Sequence, residues 1–338
     1  MPATVSIIIP CYNEEDTIHD LLTAIHAQTY ARASLEVVIA DGLSEDRTRH
    51  EILRFSEAHA DLAVRVLDNP RRIIPAGLNL ALRAAGGGII IRLDAHSLPS
   101  PDYVQRCVED LETGLGENVG GVWEIRPGAG TRMADSIARA AAHPLGVGDA
   151  LYRHGTKPAY VDTVPFGAFK RELLALVGFF DESLLSNEDY EFNSRIRVRG
   201  GKVWFDPAIR CVYFARPTLA ALARQYWRYG YWKYRMLRRY PGTLRWRQAL
   251  PPLFVASLLT LGLLGFAWCG FHWLLGAQIL IYALSLLAAG IQIAVRHGKG
   301  YLAAGLPLAI ACMHLCWGGG FLWSIIGGMF TPPAAETR

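Results

Sequence analysis

Two uncharged stretches, residues 248–295 and 301–335, constrain this chain more than any other feature. A helix needs about 20 apolar residues to cross a bilayer. The first stretch is long enough for two spans turning near Gly270-Phe271-His272 and the second for one, so three membrane helices are predicted. A soluble core of such length would carry polar residues at helical spacing. Charge adds an orientation. Residues 1–223 hold 23 Lys and Arg against 29 Asp and Glu, whereas residues 224–247 hold eight basic side chains and no acid. A basic block directly before an apolar stretch favours membrane lipid over nucleic acid as its partner. Arg296 and Lys299, between the second and third spans, fall on the same side as that block. The positive-inside rule then places everything before the first span in the cytoplasm and the C-terminus outside, in an integral inner-membrane protein.

The six cysteines show neither metal-ligand spacing nor a disulfide framework, which suits a reducing compartment. The short apolar run at 5–10 lacks a basic leader and reads as a first strand. From Asn13 onward the spacing is helical, with Ile18, Leu21, Leu22 and Ile25 on one face. Further strands are predicted at 35–40, 62–67 and 89–93, with helices opening near Thr48, spanning about 75–85, and lying near 133–142. Strands alternating with helices predict an α/β domain with a mostly parallel, doubly covered sheet. Residues 114–130, rich in glycine, read as irregular, and the aromatic middle region as substrate-binding loops.

In open α/β sheets the functional residues gather at the carboxyl ends of the strands. Pro10 to Glu14, Asp41, Asp68-Asn69 and Asp94-Ala95-His96 all occupy that position. Asp94 and His96 offer a carboxylate and an imidazole suited to a divalent cation, although an aspartate turn with a surface histidine gives the same pattern. Asn187-Glu188-Asp189 opens a helix, where acids serve either as caps or as a general base. Asn69, Arg71 and Asn79 stand between the third strand and the Asp94 segment, as donor contacts or as surface caps. The run 226–240, with Trp227, Tyr229, Tyr231, Trp232 and Tyr234 among its basic residues, reads as an interfacial amphipathic helix.

Taken in order, six segments resemble the signatures of family-2 glycosyltransferases with the GT-A fold. They are Val5-Ser6-Ile7-Ile8-Ile9-Pro10-Cys11-Tyr12-Asn13-Glu14-Glu15, Ala40-Asp41-Gly42-x-Ser44-x-Asp46-x-Thr48, Arg92-Leu93-Asp94-Ala95-His96, Phe166-Gly167-Ala168-Phe169-Lys170-Arg171, Asn187-Glu188-Asp189 and Gln225-Tyr226-Trp227-Arg228-Tyr229-Gly230. The Asp-Ala-His form and the last segment look most like exopolysaccharide glucosyltransferases of the succinoglycan-biosynthesis type. The resemblance implies a GT-A, Rossmann-like catalytic domain over 1–223, a basic aromatic segment over 224–248 and an α-helical transmembrane domain over 249–338. It further implies an inverting hexosyltransferase that moves a sugar from a nucleoside-diphosphate sugar, expected to be a UDP-sugar, to a lipid-linked glycan.

On the same resemblance Pro10, Tyr12 and Glu14 border the nucleoside and Asp41 accepts a hydrogen bond from the base. Asp94 and His96 would hold Mg²⁺ or Mn²⁺, and Gly167 would border the substrate. Asp189, beside Glu188, would be the catalytic base, and Gln225 with Arg228 would close over the donor. His96 stands where the family commonly has Asp. Arg228-Tyr229 replaces the Arg-Trp of processive synthases, so one sugar per encounter is expected. Polyprenyl phosphate is the alternative acceptor, and a non-catalytic nucleotide-binding or assembly module is the alternative class.

Overall fold

The structure is a computed structural model that describes residues 3–330. In chain order its strands are β1 (Val5–Cys11), β2 (Leu35–Asp41), β3 (Ala63–Asp68), β4 (Ile89–Arg92), β5 (Ser97–Pro99), β6 (Asn118–Pro127), β7 (Ala159–Tyr160), β8 (Ala168–Lys170) and β9 (Val203–Ala215). The helices are α1 (Ile18–His26), α2 (Thr48–Ala58), α3 (Ile74–Ala84), α4 (Tyr103–Glu112), α5 (Arg132–Ala141), α6 (Pro144–Val147), α7 (Leu173–Val177), α8 (Glu188–Val198), α9 (Leu219–Arg239), α10 (Trp246–Gly265), α11 (Gly270–His297) and α12 (Leu302–Phe330). The described residues up to Glu124 together with Ala150–Phe214 form one compact unit. Ile125–Asp149 and the residues from Ala215 onward form another.

The first unit is a sheet covered on both faces. β1 is a β-branched run whose side chains alternate, so Ile7 and Ile9 enter one core while Ile8 enters the other. Val37 and Ile39 follow the first pattern, and Val38 and Ala40 the second. This two-sided burial explains why the strands read as continuous apolar runs. One face is closed by Leu21, Leu22 and Ile25 of α1, Phe55 of α2 and Val104 and Val108 of α4. The other is closed by Leu78 and Leu82 of α3 and by Phe192 and Ile196 of α8.

β3, β2, β1 and β4 lie side by side in parallel, as the strand-helix alternation predicts. Beyond β4 the sheet turns mixed, since β8 runs antiparallel to both β4 and β6, and β5 and β7 run antiparallel to β9. The glycine-rich stretch expected to be irregular contains β6, a ten-residue strand. Its glycines are imposed by close approach. A Cβ at Gly121 would overlap the Ile209 carbonyl, and one at Gly120 would sit 2.7 Å from Val164 Cβ.

In the second unit α10, α11 and α12 are each long and apolar enough to cross a membrane. The connection between α10 and α11 falls at 266–269, and Gly270-Phe271-His272, expected at the turn, already belongs to α11. Residues 331–338, which end the second apolar stretch and the expected outer C-terminus, lie outside the described residues. α9 starts at Leu219, before the basic run, and buries Leu222 and Tyr226 with Leu306, Ile310 and Met313 of α12. Glycine lets the two helices touch. A side chain at Gly230 would overlap the Trp317 carbonyl, and one at Gly320 would overlap the Trp227 carbonyl. The aromatic-basic run is therefore docked along one face on α12.

Candidate active site

The carboxyl ends of β2, β1 and β4 form one rim, with Cys11 opposite Asp41 and Ile8 opposite Arg92. Two loops above it are joined residue by residue. The Asn13 backbone N–H donates to Ser44 Oγ at 2.8 Å, and Asn13 Oδ1 accepts from the Glu45 N–H at 2.9 Å. The Glu14 N–H donates to Thr48 Oγ1 at 2.7 Å, and the Arg47 N–H donates to the Glu15 carboxylate at 2.9 Å. Asn13 takes a positive φ of 53° to make this turn. The segments 11–15 and 41–48, separate signatures in the sequence, are thus two sides of one hydrogen-bonded structure.

Tyr12 is exposed and lies against Gly42, with the Arg72 guanidinium 5.7 Å from its ring centroid. Asp41 is fully buried. Its carboxylate accepts from Ser44 Oγ at 2.5 Å, from the Ser44 N–H and from Arg49 Nε, while another nitrogen of Arg49 reaches Asp68 at 2.6 Å. Burial, with the Glu14 and Asp41 charges beside it, pushes the Cys11 thiol far above its ordinary range.

Beyond β1 the rim carries the densest charge. Arg92, the last residue of β4, donates to Asp94 at 3.1 Å, to Glu188 at 2.9 Å and to Asp189. Asn187, at φ 68°, leads into α8, whose first turn supplies Glu188 and Asp189 and is favoured by the positive end of the helix dipole. Burial drives the Asp189 carboxyl upward. Arg92 opposes it, but the neighbouring Glu188 and Asp94 charges add to it, and the carboxyl is pushed up to about 7. His96 Nδ1 meets Glu14 at 2.9 Å, tying the metal-type segment to the β1 loop.

A small cavity beside this cluster is lined by Arg92, Asn118, Gly167, Asp189 and Asn193, among others. Gly167 is held close to Asn118, whose amide donates to Asn193 Oδ1 at 2.6 Å, and the Gly167 carbonyl accepts the Arg92 N–H at 3.1 Å. The structure thus brings Asp94, Glu188 and Asp189 together around Arg92, with Gly167 beside them. Asp41 stays outside that group, two strands from the β4 end at roughly 5 Å per strand.

Three softer assignments take other places. Asn79 is buried, its amide donating to the Phe180 carbonyl and to Glu182 and accepting from the Phe180 N–H. It ties α3 to the segment before α8, with both ends of its amide engaged. Arg71 pairs with Glu182, and Asn69 Nδ2 donates to the Ile73 carbonyl just before α3. Gln225 and Arg228 lie on α9 in the second unit, where Gln225 donates to the Tyr229 hydroxyl at 3.0 Å. Arg92, of the Arg92-Leu93-Asp94-Ala95-His96 segment, is the site residue that motif position alone does not assign. The available signal was a charge ending an otherwise apolar buried strand, which demands partners.

No group of three or more His, Cys, Asp and Glu side chains among the described residues is arranged to hold a metal ion by itself. A family model described as Glycosyl transferase family 2 matches residues 6–177. The succinoglycan biosynthesis protein ExoA of Rhizobium meliloti (strain 1021) is 33% identical over 320 residues, 93% of each chain. This chain belongs to glycosyltransferase family 2. A second relative, from Methanococcus voltae, is 25% identical over 97% of this chain and 98% of its own. Its name is dolichyl N-acetyl-alpha-D-glucosaminyl phosphate 3-beta-D-2,3-diacetamido-2,3-dideoxy-beta-D-glucuronosyltransferase.

Among solved structures, the mannosyltransferase PcManGT from Pyrobaculum calidifontis, in complex with GDP-Man and Mn²⁺, aligns with a TM-score of 0.59 at 24% identity. The match covers 93% of this chain and 87% of that one. GalNAc-T7 with UDP, GalNAc and Mn²⁺ aligns with a TM-score of 0.50 at 18% identity, covering 71% and 51%. These likenesses establish the fold, GT-A. The protein is a family-2 hexosyltransferase of polysaccharide or glycan biosynthesis, with three helices long and apolar enough to span a membrane.

Proposed function

We propose that this glycosyltransferase moves a hexose from a nucleoside-diphosphate sugar, a UDP-sugar first among them, onto a hydroxyl of a lipid-linked glycan at the cytoplasmic membrane face. The observation that carries the reading is the convergence of Asp94, Glu188 and Asp189 on Arg92, which joins a cation-binding type of residue to a base at one strand end. Asp189 takes the proton from the acceptor hydroxyl. The acceptor oxygen bonds to the anomeric carbon as the bond from that carbon to the diphosphate oxygen breaks. The electron pair leaves with the diphosphate, and a single displacement inverts the configuration. Pro10, Tyr12 and Glu14 border the nucleoside, Asp41 meets its base, and Gly167 borders the substrate.

Asp94 and His96 fit Mg²⁺ or Mn²⁺ in a particular sense. With one guanidinium among three carboxylates, the cluster is two positive charges short of neutral when fully ionised. Magnesium-type ions commonly take one or two carboxylates and complete their shell with water and substrate phosphates, so a three-residue protein site is not required. The ion would neutralise charge developing on the diphosphate. Manganese in complex with two proteins of the same fold supports this choice. Motif position assigns Gln225 and Arg228 to the donor as well. The basic residues 224–247, with Arg296 and Lys299 near the spans, favour the cytoplasmic face and contact with lipid headgroups.

Asp189→Asn, assayed on a lipid-linked glycan and on polyprenyl phosphate, tests the acceptor. A sugar hydroxyl needs base assistance, so its transfer is expected to fall by about 10² to 10⁴. A phosphate acceptor is already anionic. Wild-type enzyme that transfers efficiently to polyprenyl phosphate and not to the glycan, at a rate that survives the substitution, overturns the reading.

A further inference from the structure

β4 consists of three buried isoleucines followed by a charge. Arg92 is 4% exposed in its side chain, and charges are rarely left so buried without partners. Its terminal nitrogens reach two separate elements, Asp94 just past β4 and the Glu188 and Asp189 pair on the first turn of α8. One nitrogen takes Asp94 and Glu188 together, and the other takes Asp189. A guanidinium is planar and rigid, so it fixes the directions of its partners as well as their charge.

Its own place is fixed too. The Arg92 N–H donates to the Gly167 carbonyl, the residue pairs with Ile8 in the sheet, and Glu188 is the most buried of its three partners. A second polar layer holds α8 in register. Asn193, one turn after Asp189, accepts from Asn118 of β6 and donates to Thr163 Oγ1 at 3.0 Å and to the Val164 carbonyl at 3.1 Å.

We propose that Arg92 is a positioning residue that sets Asp189 and Asp94 at a fixed separation before substrate arrives, with Glu188 as its anchor and not a proton acceptor. The inference rests on the roles proposed above for Asp94 and Asp189. Neither Asp94 nor α8 has to move far to lose that geometry, and a misplacement of about 1 Å costs on the order of 10² in rate.

The test uses the full chain in membranes or detergent, with Arg92→Lys, Glu188→Gln and Asp189→Asn. Lysine keeps the charge but offers one compact ammonium in place of the fork. For Arg92→Lys, kcat is expected to fall about 10²-fold while donor KM stays within about threefold. Mn²⁺ affinity, titrated directly in the presence of UDP, is expected to stay within about threefold of wild type, because lysine keeps the positive charge beside Asp94. Glutamine at 188 still accepts from Arg92, so Glu188→Gln is expected to stay within about tenfold of wild type while Asp189→Asn loses on the order of 10² or more.

Wild-type kcat in Arg92→Lys overturns the proposal. So does a loss of kcat, donor KM and Mn²⁺ affinity in step, which is the mark of a merely structural role. Equal losses in Glu188→Gln and Asp189→Asn overturn the anchor assignment, and that pair decides the matter if Arg92→Lys yields no folded protein. Full activity in Asp189→Asn refutes the base reading itself, whereas full activity in Arg92→Lys beside a dead Asp189→Asn refutes only the role of Arg92.

Discussion

If Asp189 is the base, transfer must slow as pH falls through the value at which its carboxylate gains a proton. Burial and the Glu188 and Asp94 charges outweigh Arg92 and push that value from 3.8 to about 7. The sign is fixed by chemistry, since only the ionised carboxylate accepts a proton and a raised pKa therefore removes activity on the acid side. One pH unit below the pKa about a tenth of the enzyme is competent, and two units below about a hundredth. An unperturbed aspartate would still be about nine-tenths ionised near pH 5. The assay is kcat/KM for the donor across the range, read as released nucleotide at constant cation and ionic strength. An acid limb near neutrality, absent from the residual rate of Asp189→Asn, is expected. A limb at or below about pH 5, or one that Asp189→Asn keeps, refutes the argument.

Three further substitutions test the packing around this chemistry. Gly230→Ala places a methyl group against the Trp317 carbonyl and should cost about 1 to 3 kcal/mol, read as a lower melting temperature in detergent. Asn79→Ala removes three hydrogen bonds around Phe180 and Glu182, so it should lower stability by about 1 to 3 kcal/mol and leave donor KM unchanged. Burial would raise the Asp135 carboxyl, but hydrogen bonds from Tyr301 and Lys299 and the Arg139 charge hold it below its ordinary value. A depressed folded-state value stabilises above the unfolded pKa and is lost as pH falls through the folded one. Asp135→Asn should therefore cost about 1 to 2 kcal/mol at neutral pH in denaturant titrations, and the difference should close below about pH 4.

The parallel strands and the three long apolar helices could be read from the chain because each is a local pattern. Ile7, Ile8 and Ile9 announce a strand buried on both faces, and an uncharged run announces a span whatever its neighbours do. β6 escaped because Gly120 and Gly121 answer to Val164 and Ile209, far along the chain, and leave no strand periodicity behind. Asp94 and Asp189 could be singled out as strand-end and helix-start acids. Their joining through Arg92 spans 97 residues, and no local spacing encodes such a pairing. Asn79 shows a related limit, since a polar residue on a helix between two strands looks the same from the sequence whether it faces substrate or fastens a loop. Asp41 shares the rim of strand ends with Asp94 but lies two strands away. Its carboxylate is engaged by Ser44 and Arg49, a local arrangement that only the folded loop reveals.

Sugar transfer that depends on a cation is what Asp94, His96 and Asp189 are proposed to perform. The most direct measurement incubates membranes containing the protein with a panel of labelled nucleotide sugars, following released nucleotide and labelled lipid with and without a chelator. At least one sugar is expected to enter the lipid fraction in step with nucleotide release, and chelation is expected to stop both. Transfer that ignores the chelator contradicts the role given to Asp94 and His96, and no transfer from any donor in the presence of Mn²⁺ and native lipids contradicts the enzyme mechanism as a whole.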